Sequence, residues 1–205
     1  NGSSEMGGQL ATAVTTFLFN RTMMNLLGED GVAAITIIIY SQFLLNTLYI
    51  GYSMGIAPII GFNYGNRNEV QQKKVFSISM RFIAAASVLI FAVSMFGGSY
   101  IVRLFADDTS EVYQIAANGF TIFSYSFLFC GLNNFTSAMF TALSNGKVSA
   151  VLSFLRTFGL LAGGILLLPH IWGITGVWLA VPVAEGIMFV VSAICLIHYR
   201  KKYSY

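Results

Sequence analysis

Charge is scarce in this sequence. Lys, Arg, Asp and Glu make up 9% of its 205 residues, and mean hydropathy is +0.73. A soluble domain so poor in charge would have no polar shell to cover its surface, which excludes that class. The two cysteines, Cys130 and Cys195, both fall inside apolar segments. A thiol there behaves as a small hydrophobe, so no disulfide is expected. His170 and His198 stand alone in a turn and at a helix end, with no second ligand at metal spacing. The sequence contains no G-x-x-x-x-G-K-[ST] or G-x-S-x-G run and no paired acids at catalytic spacing within a span. No enzyme activity, metal or cofactor is therefore expected. The formal charge of +3 resides in loops, and nucleic acid is not an expected partner.

Apolar length is what the chain has in abundance. Residues 31–61, 75–96, 113–143, 148–168 and 174–198 each exceed the roughly 18 residues needed to cross a hydrocarbon core. Residues 5–27 form a weaker sixth stretch. The expectation is an all-α, polytopic membrane protein whose residues 1–205 form one six-helix bundle in contact with lipid. That bundle consumes the whole length and leaves no room for a catalytic or nucleotide-binding domain. Asn1 is not a methionine and the chain runs almost at once into a helix, so it reads as part of a longer protein.

The polar loops alternate in sign. Segments 62–74, 144–147 and 199–205 hold Arg67, Lys73, Lys74, Lys147, Arg200, Lys201 and Lys202. Segments 28–30 and 97–112 hold Glu29, Asp30, Asp107, Asp108 and Glu111 against Arg103 alone. Short Lys- and Arg-rich loops stay cytoplasmic, which places both ends of the chain inside. Gly28-Glu29-Asp30-Gly31 and Ser144-Asn145-Gly146 read as tight turns, with Gly28 suited to a left-handed cap. Pro169 is expected to stop a helix. The tyrosines at 199, 203 and 205 beside the last basic cluster read as an interfacial anchor.

Polar groups inside the spans are candidate functional residues, because a charge at the bilayer centre costs about 2.5–3.5 kcal/mol. Glu185 lies mid-helix, three residues after Pro182. It is either a proton or cation site or a buried acid balanced by a partner. Arg156 on the preceding antiparallel helix is the natural partner, at a depth differing by roughly 8 Å. Glu5 would line a cavity if its helix begins upstream, and otherwise lies at the interface. Arg81 is close enough to the basic loop to snorkel. The helix 113–143 is dense in hydrogen-bonding groups, and at 100° per residue Tyr125, Ser126, Asn133 and Ser137 share a broad face beside Asn134. Interhelical hydrogen bonds average only about 0.6 kcal/mol, which favours cavity lining over bonding for this face. Asn20, Gln42 and Asn46 place carboxamides in other spans, where either role is open. Pro58, Gly61 and Pro182 are candidate kink or gating positions, and Pro58 is expected to break its helix before the cytoplasmic end.

Several runs resemble a known family. Gly55-Ile-Ala-Pro-Ile-Ile-Gly-Phe-Asn-Tyr-Gly65 followed by Asn66-Arg67-Asn68 resembles the end of the eighth helix in multidrug and toxic compound extrusion (MATE) transporters. Phe127-Leu-Phe-Cys-Gly-Leu-Asn-Asn134 is similar to their bacterial branch. So are Ser144-Asn-Gly-Lys-Val-Ser149 with Phe154-Leu-Arg156, and Gly173-Ile-Thr-Gly-Val-Trp-Leu-Ala-Val-Pro-Val-Ala-Glu185. Asn1-Gly-Ser-Ser-Glu5 resembles the start of the seventh helix. The resemblance implies the C-terminal lobe of a twelve-helix antiporter in the bacterial plasma membrane. It implies export of cationic or amphipathic drugs in exchange for sodium ions or protons, with a preceding six-helix lobe as partner. Members with a cation site in this lobe use a carboxylate on the seventh helix and polar groups on the tenth. Here the tenth carries no acid, and Glu5 lies shallower than that carboxylate. A lipid-linked oligosaccharide flippase of the same superfamily and a non-transporting membrane scaffold subunit are the alternative readings.

Overall fold

A computed structural model of the protein describes the backbone of residues 2–205 and the side chains from Leu10 onward. The described residues form helices and short connections, with no strand. The elements are α1 (Gly2–Gly65), α2 (Glu69–Arg103), α3 (Glu111–Phe123), a 3₁₀ turn (Ser124–Ser126), α4 (Phe127–Ala142), α5 (Gly146–Phe154), a π-helical segment (Leu155–Ala162), α6 (Gly163–Trp172) and α7 (Ile174–Tyr203). The pieces α3–α4 and α5–α6 each run through their irregular turn as one apolar helix, Glu111–Ala142 and Gly146–Trp172.

The six separate helices expected from the sequence become five long apolar ones. The stretches 5–27 and 31–61 both fall within α1, as two helices joined across a kink at Gly28. Gly28 has φ 65° and ψ −148°, outside helical space and in a region that only glycine enters cheaply. A β-carbon built on Gly31 would lie 3.0 Å from the Met23 carbonyl oxygen. Eight residues of straight helix would separate those positions by about 12 Å, so the chain folds back on itself at Gly28. The helices starting at Glu69, Glu111 and Gly146 begin earlier than expected, each behind a side-chain cap. Asn68, Ser110 and Asn145 each accept the backbone N–H of the third residue of the helix that follows.

Proline does not stop helices in this bundle. α1 continues past Pro58 to Gly65, α6 past Pro169 to Trp172, and α7 past Pro182. Each proline leaves one carbonyl without its helical donor, a loss that neighbouring helices and local adjustment absorb in membrane bundles. The α6 helix ends at Gly173 instead, where φ is 55°.

The core has two apolar clusters stacked along the bundle. One gathers Phe19, Met23, Ile35, Phe120, Phe123, Phe127, Val177 and Trp178. The other gathers Ile60, Ile83, Phe135, Met139, Phe140, Met188 and Tyr203. Close approach between helices depends on Gly131 in α4, where a β-carbon would meet Ser87 Oγ and a Tyr49 ring carbon, both at 2.9 Å. The outside is apolar too: Phe96 is 83% and Ile197 75% exposed. A surface of this kind suits lipid, which makes no demand for polar groups on the outside of a helical bundle.

Candidate functional site

The two apolar clusters are separated by charge. On α4, Cys130 belongs to the first cluster and Phe135 to the second; on α7, Val181 belongs to the first and Met188 to the second. Asn133 and Glu185 lie between these pairs, facing each other across the α4–α7 contact. Asn133 Nδ2 donates to Glu185 Oε2 at 2.7 Å and to the Glu185 carbonyl at 3.0 Å. Ser192, two turns along α7, donates to Asn133 Oδ1 at 2.9 Å and fixes the amide's orientation.

Arg156 completes the group from the start of the π-helical segment. Its Nε and Nη2 approach Glu185 Oε1 at 2.8 and 2.7 Å, and its Nη1 donates to Asn134 Oδ1 at 2.8 Å. Both carboxylate oxygens are thus occupied by donors. The side chain of Glu185 is only 7% exposed, whereas that of Arg156 retains 23%, so the pair has a closed acidic end and an open basic end. Burying an acid this deeply is costly without a counter-charge and a full set of donors, and both are present here. The neighbouring asparagines divide the work, Asn133 serving the acid and Asn134 the base. Helical π turns recur where a side chain must be re-aimed, and Gly159 lowers the cost of leaving the α-helix.

Towards the basic end of the bundle the polar seam continues between α4 and α5. Ser137 Oγ lies 3.0 Å from both Ser149 Oγ and Ser153 Oγ, and Thr141 Oγ1 donates to Ser149 Oγ at 2.8 Å. Residues 134, 137 and 141 share one face of α4. They meet 149, 153 and 156, which share one face of the opposing helix. The result is a hydroxyl-lined seam with the open side of Arg156 at one end.

Tyr125 is not part of this group. It is 49% exposed and packs its ring 5.3 Å from that of Phe91, whereas Ser126 is fully buried. The shared face expected for Tyr125 and Asn133 assumed 100° per residue throughout. The 3₁₀ turn at Ser124–Ser126 winds about 120° per residue, which rotates Tyr125 away from the face that follows. Glu5 lies outside the described side chains. Gly61 abuts the α4 end, where a β-carbon would lie 3.3 Å from the Ala142 carbonyl, so it acts in packing. Pro58 sits in an unbroken helix, and Pro182 is buried just before Glu185. Asn20 Oδ1 and Asn46 Oδ1 are buried without a hydrogen-bond partner among the described residues, and Arg81 is exposed.

Ser149, Ser153 and Ser192 were not singled out in the sequence, although the i, i+4, i+7 spacing of 149, 153 and 156 was legible there. Tyr49 was also missed. Its hydroxyl donates to the Phe127 carbonyl at 2.9 Å, immediately after the 3₁₀ turn. Among the described residues no group of three or more His, Cys, Asp or Glu side chains comes together.

Comparison with known families decides the class of this apolar bundle with its buried ion pair. The MatE family profile matches residues 6–162. The chain belongs to the MatE family. A comparison with curated proteins finds no significant match. Among solved structures, an outward-facing multidrug resistance MATE transporter of the MOP superfamily superposes with a TM-score of 0.86 at 20% identity. The alignment covers 98% of this chain and 46% of that one. The Vibrio cholerae MATE transporter VcmN in its bent form gives 0.88 at 20% identity, covering 98% and 45%. A MOP-superfamily transporter from Pyrococcus furiosus gives 0.89 at 19% identity, covering 100% and 46%. The description of that third protein notes a binding pocket of reversed polarity that suggests a different function. This MatE chain therefore has the fold of one transporter lobe and spans about half the length of the structures it matches.

Proposed function

We propose that the chain is the C-terminal half of a secondary active antiporter that exports cationic or amphipathic drugs in exchange for sodium ions or protons. The observation that carries this reading is the Arg156–Glu185 pair with its two asparagines, placed between apolar clusters and continuous with the α4–α5 hydroxyl seam. A purely structural lobe gains nothing from burying two charges, since apolar side chains of similar volume would pack there at no greater cost. A pathway element does gain. A cation or proton reaching Glu185 must compete with Arg156, and release of the guanidinium would open the seam. Occupancy at one residue is thereby linked to the contact of α4 and the π segment with α7.

Orientation follows from charge. Arg67 and Lys202 line one pocket, and Lys147 lines a groove with Tyr199, so the basic loops gather at one end of the bundle. Asp107, Asp108 and Glu111 lie beyond the far end of α2. The positive-inside tendency puts the basic end, with both chain ends, on the cytoplasmic side of a bacterial plasma membrane. Alternating access needs two units rocking about a shared site, so the partner is a second six-helix lobe.

The test is efflux of a cationic fluorescent dye by the two-lobe protein carrying Glu185→Gln, Arg156→Gln or both. Loss of efflux with surface expression retained is the expected result for each single variant. Wild-type efflux in all three would remove the pair from the transport cycle.

A further inference from the structure

At the basic end of the bundle, away from the ion pair, the α1–α2 connection and the end of α7 enclose a cavity of about 150 Å³. Its lining includes Asn63, Arg67, Gln72, Lys202 and Tyr203, and the first turn of α2 with Glu69 closes one side. Three observations set it apart. Gln72 lines this cavity and is 3% exposed, and its buried Oε1 has no hydrogen-bond partner among the described residues. Leaving a buried amide unmatched is costly, so such groups call for an explanation. Arg67 forms no ion pair among the described residues, whereas Glu69 on the same rim is engaged with Lys73 at 4.0 Å. Lys202 is held at the mouth, its Nζ 5.2 Å from the centre of the Tyr203 ring and 5.7 Å from that of Tyr199. The 35-residue α2 also presents its N-terminus here, adding a positive end to two cations.

We propose that this cavity binds a phosphate ester whose alcohol bears free hydroxyls, as in the headgroup of a phosphatidylglycerol-type lipid or a soluble glycerol phosphate. Arg67 and Lys202 meet the phosphate oxygens. A headgroup hydroxyl donates to Gln72 Oε1, the acceptor that the protein itself leaves unmatched. The tyrosines at 64 and 203, with ring centroids 5.5 Å apart, place the pocket among the aromatic side chains typical of a membrane–water boundary. Basic pockets at the ends of membrane helices suit anionic headgroups, since the surface they face is itself anionic.

The experiment uses the purified protein in detergent with four probes. They are phosphatidylglycerol, phosphatidic acid and phosphatidylcholine of equal acyl length, and glycerol 3-phosphate. Binding is read by native mass spectrometry and by thermal shift. Wild-type protein is expected to retain phosphatidylglycerol over phosphatidylcholine, and Arg67→Gln/Lys202→Gln to bind it about 30-fold more weakly, at about fivefold per charge. Gln72→Met keeps the volume and removes the unmatched amide. It is expected to unfold no more easily than wild type when empty, and to lose about fivefold in preference for phosphatidylglycerol over phosphatidic acid. Protection by glycerol 3-phosphate equal to that by the lipid would identify the soluble ester as the ligand of the same site. Equal binding of phosphatidylglycerol and phosphatidylcholine would overturn the proposal. So would unchanged binding in the Arg67/Lys202 double variant, or an unchanged lipid preference in Gln72→Met.

Discussion

Removing either partner of the Arg156–Glu185 pair should cost far more than removing both. In Arg156→Met the carboxylate of Glu185, 7% exposed, loses both donors to Oε1 and keeps only Asn133 on Oε2. An uncompensated buried charge of this kind costs about 3–5 kcal/mol. In Glu185→Leu the stranded guanidinium is 23% exposed and keeps Asn134, and Asn133 keeps the backbone carbonyl of residue 185. The smaller loss should be about 2–3 kcal/mol. The double variant buries no charge and leaves only the two asparagine amides short of partners, at about 1–2 kcal/mol. The cycle therefore predicts a coupling of about 5 kcal/mol between two positions 29 residues apart in sequence. Denaturant unfolding of the four proteins in one detergent, followed by tryptophan fluorescence or circular dichroism, measures it. Single-variant losses that simply add, with a coupling within about 0.5 kcal/mol of zero, would refute the reasoning.

Three further outcomes follow from the same geometry. Gly131→Ala forces a β-carbon against Ser87 and Tyr49 and should destabilise the bundle by about 1–3 kcal/mol, measured by denaturant unfolding; an unchanged midpoint would mean that the α4 crossing is looser than described. Single cysteines at Asn66 and Asp108, in a background lacking Cys130 and Cys195, should label from opposite sides of the membrane, because the 35-residue α2 separates them; labelling from one side would overturn the course of that helix. The Asp107 carboxyl, in the exposed loop after α2, is held below the ordinary aspartate range by the backbone N–H and hydroxyl of Thr109. Its folded value is depressed, so the stability it contributes is full above the unfolded value near 3.8 and is lost as pH falls through the folded one. Thr109→Val should raise the Asp107 midpoint in an NMR titration, and an unmoved midpoint would remove the hydroxyl as a cause.

The sequence by itself determined the class of the molecule, its helical composition and the identity of the buried charges. Apolar length against a bilayer is a local property, as is the cost of a charge at its centre, so both can be read without a fold. Glu185 and Arg156 were paired on depth alone, since antiparallel helices in a membrane share one coordinate. What the sequence could not determine was rotation about the helix axes. The 3₁₀ turn at Ser124–Ser126 moves Tyr125 off the face of Asn133, and a period assumed constant cannot register it. Likewise, prolines expected to end or break helices lie within continuous ones, because the bundle tolerates the carbonyl each leaves free. The turn between the two N-terminal helices, by contrast, is local: it sits at Gly28, where φ is 65°, and was legible from the glycine itself. The Gln72 cavity is tertiary throughout. It joins residues from the α1–α2 connection to residues about 130 positions later, and only packing brings an unmatched amide, a free arginine and a lysine held by tyrosine rings to one place.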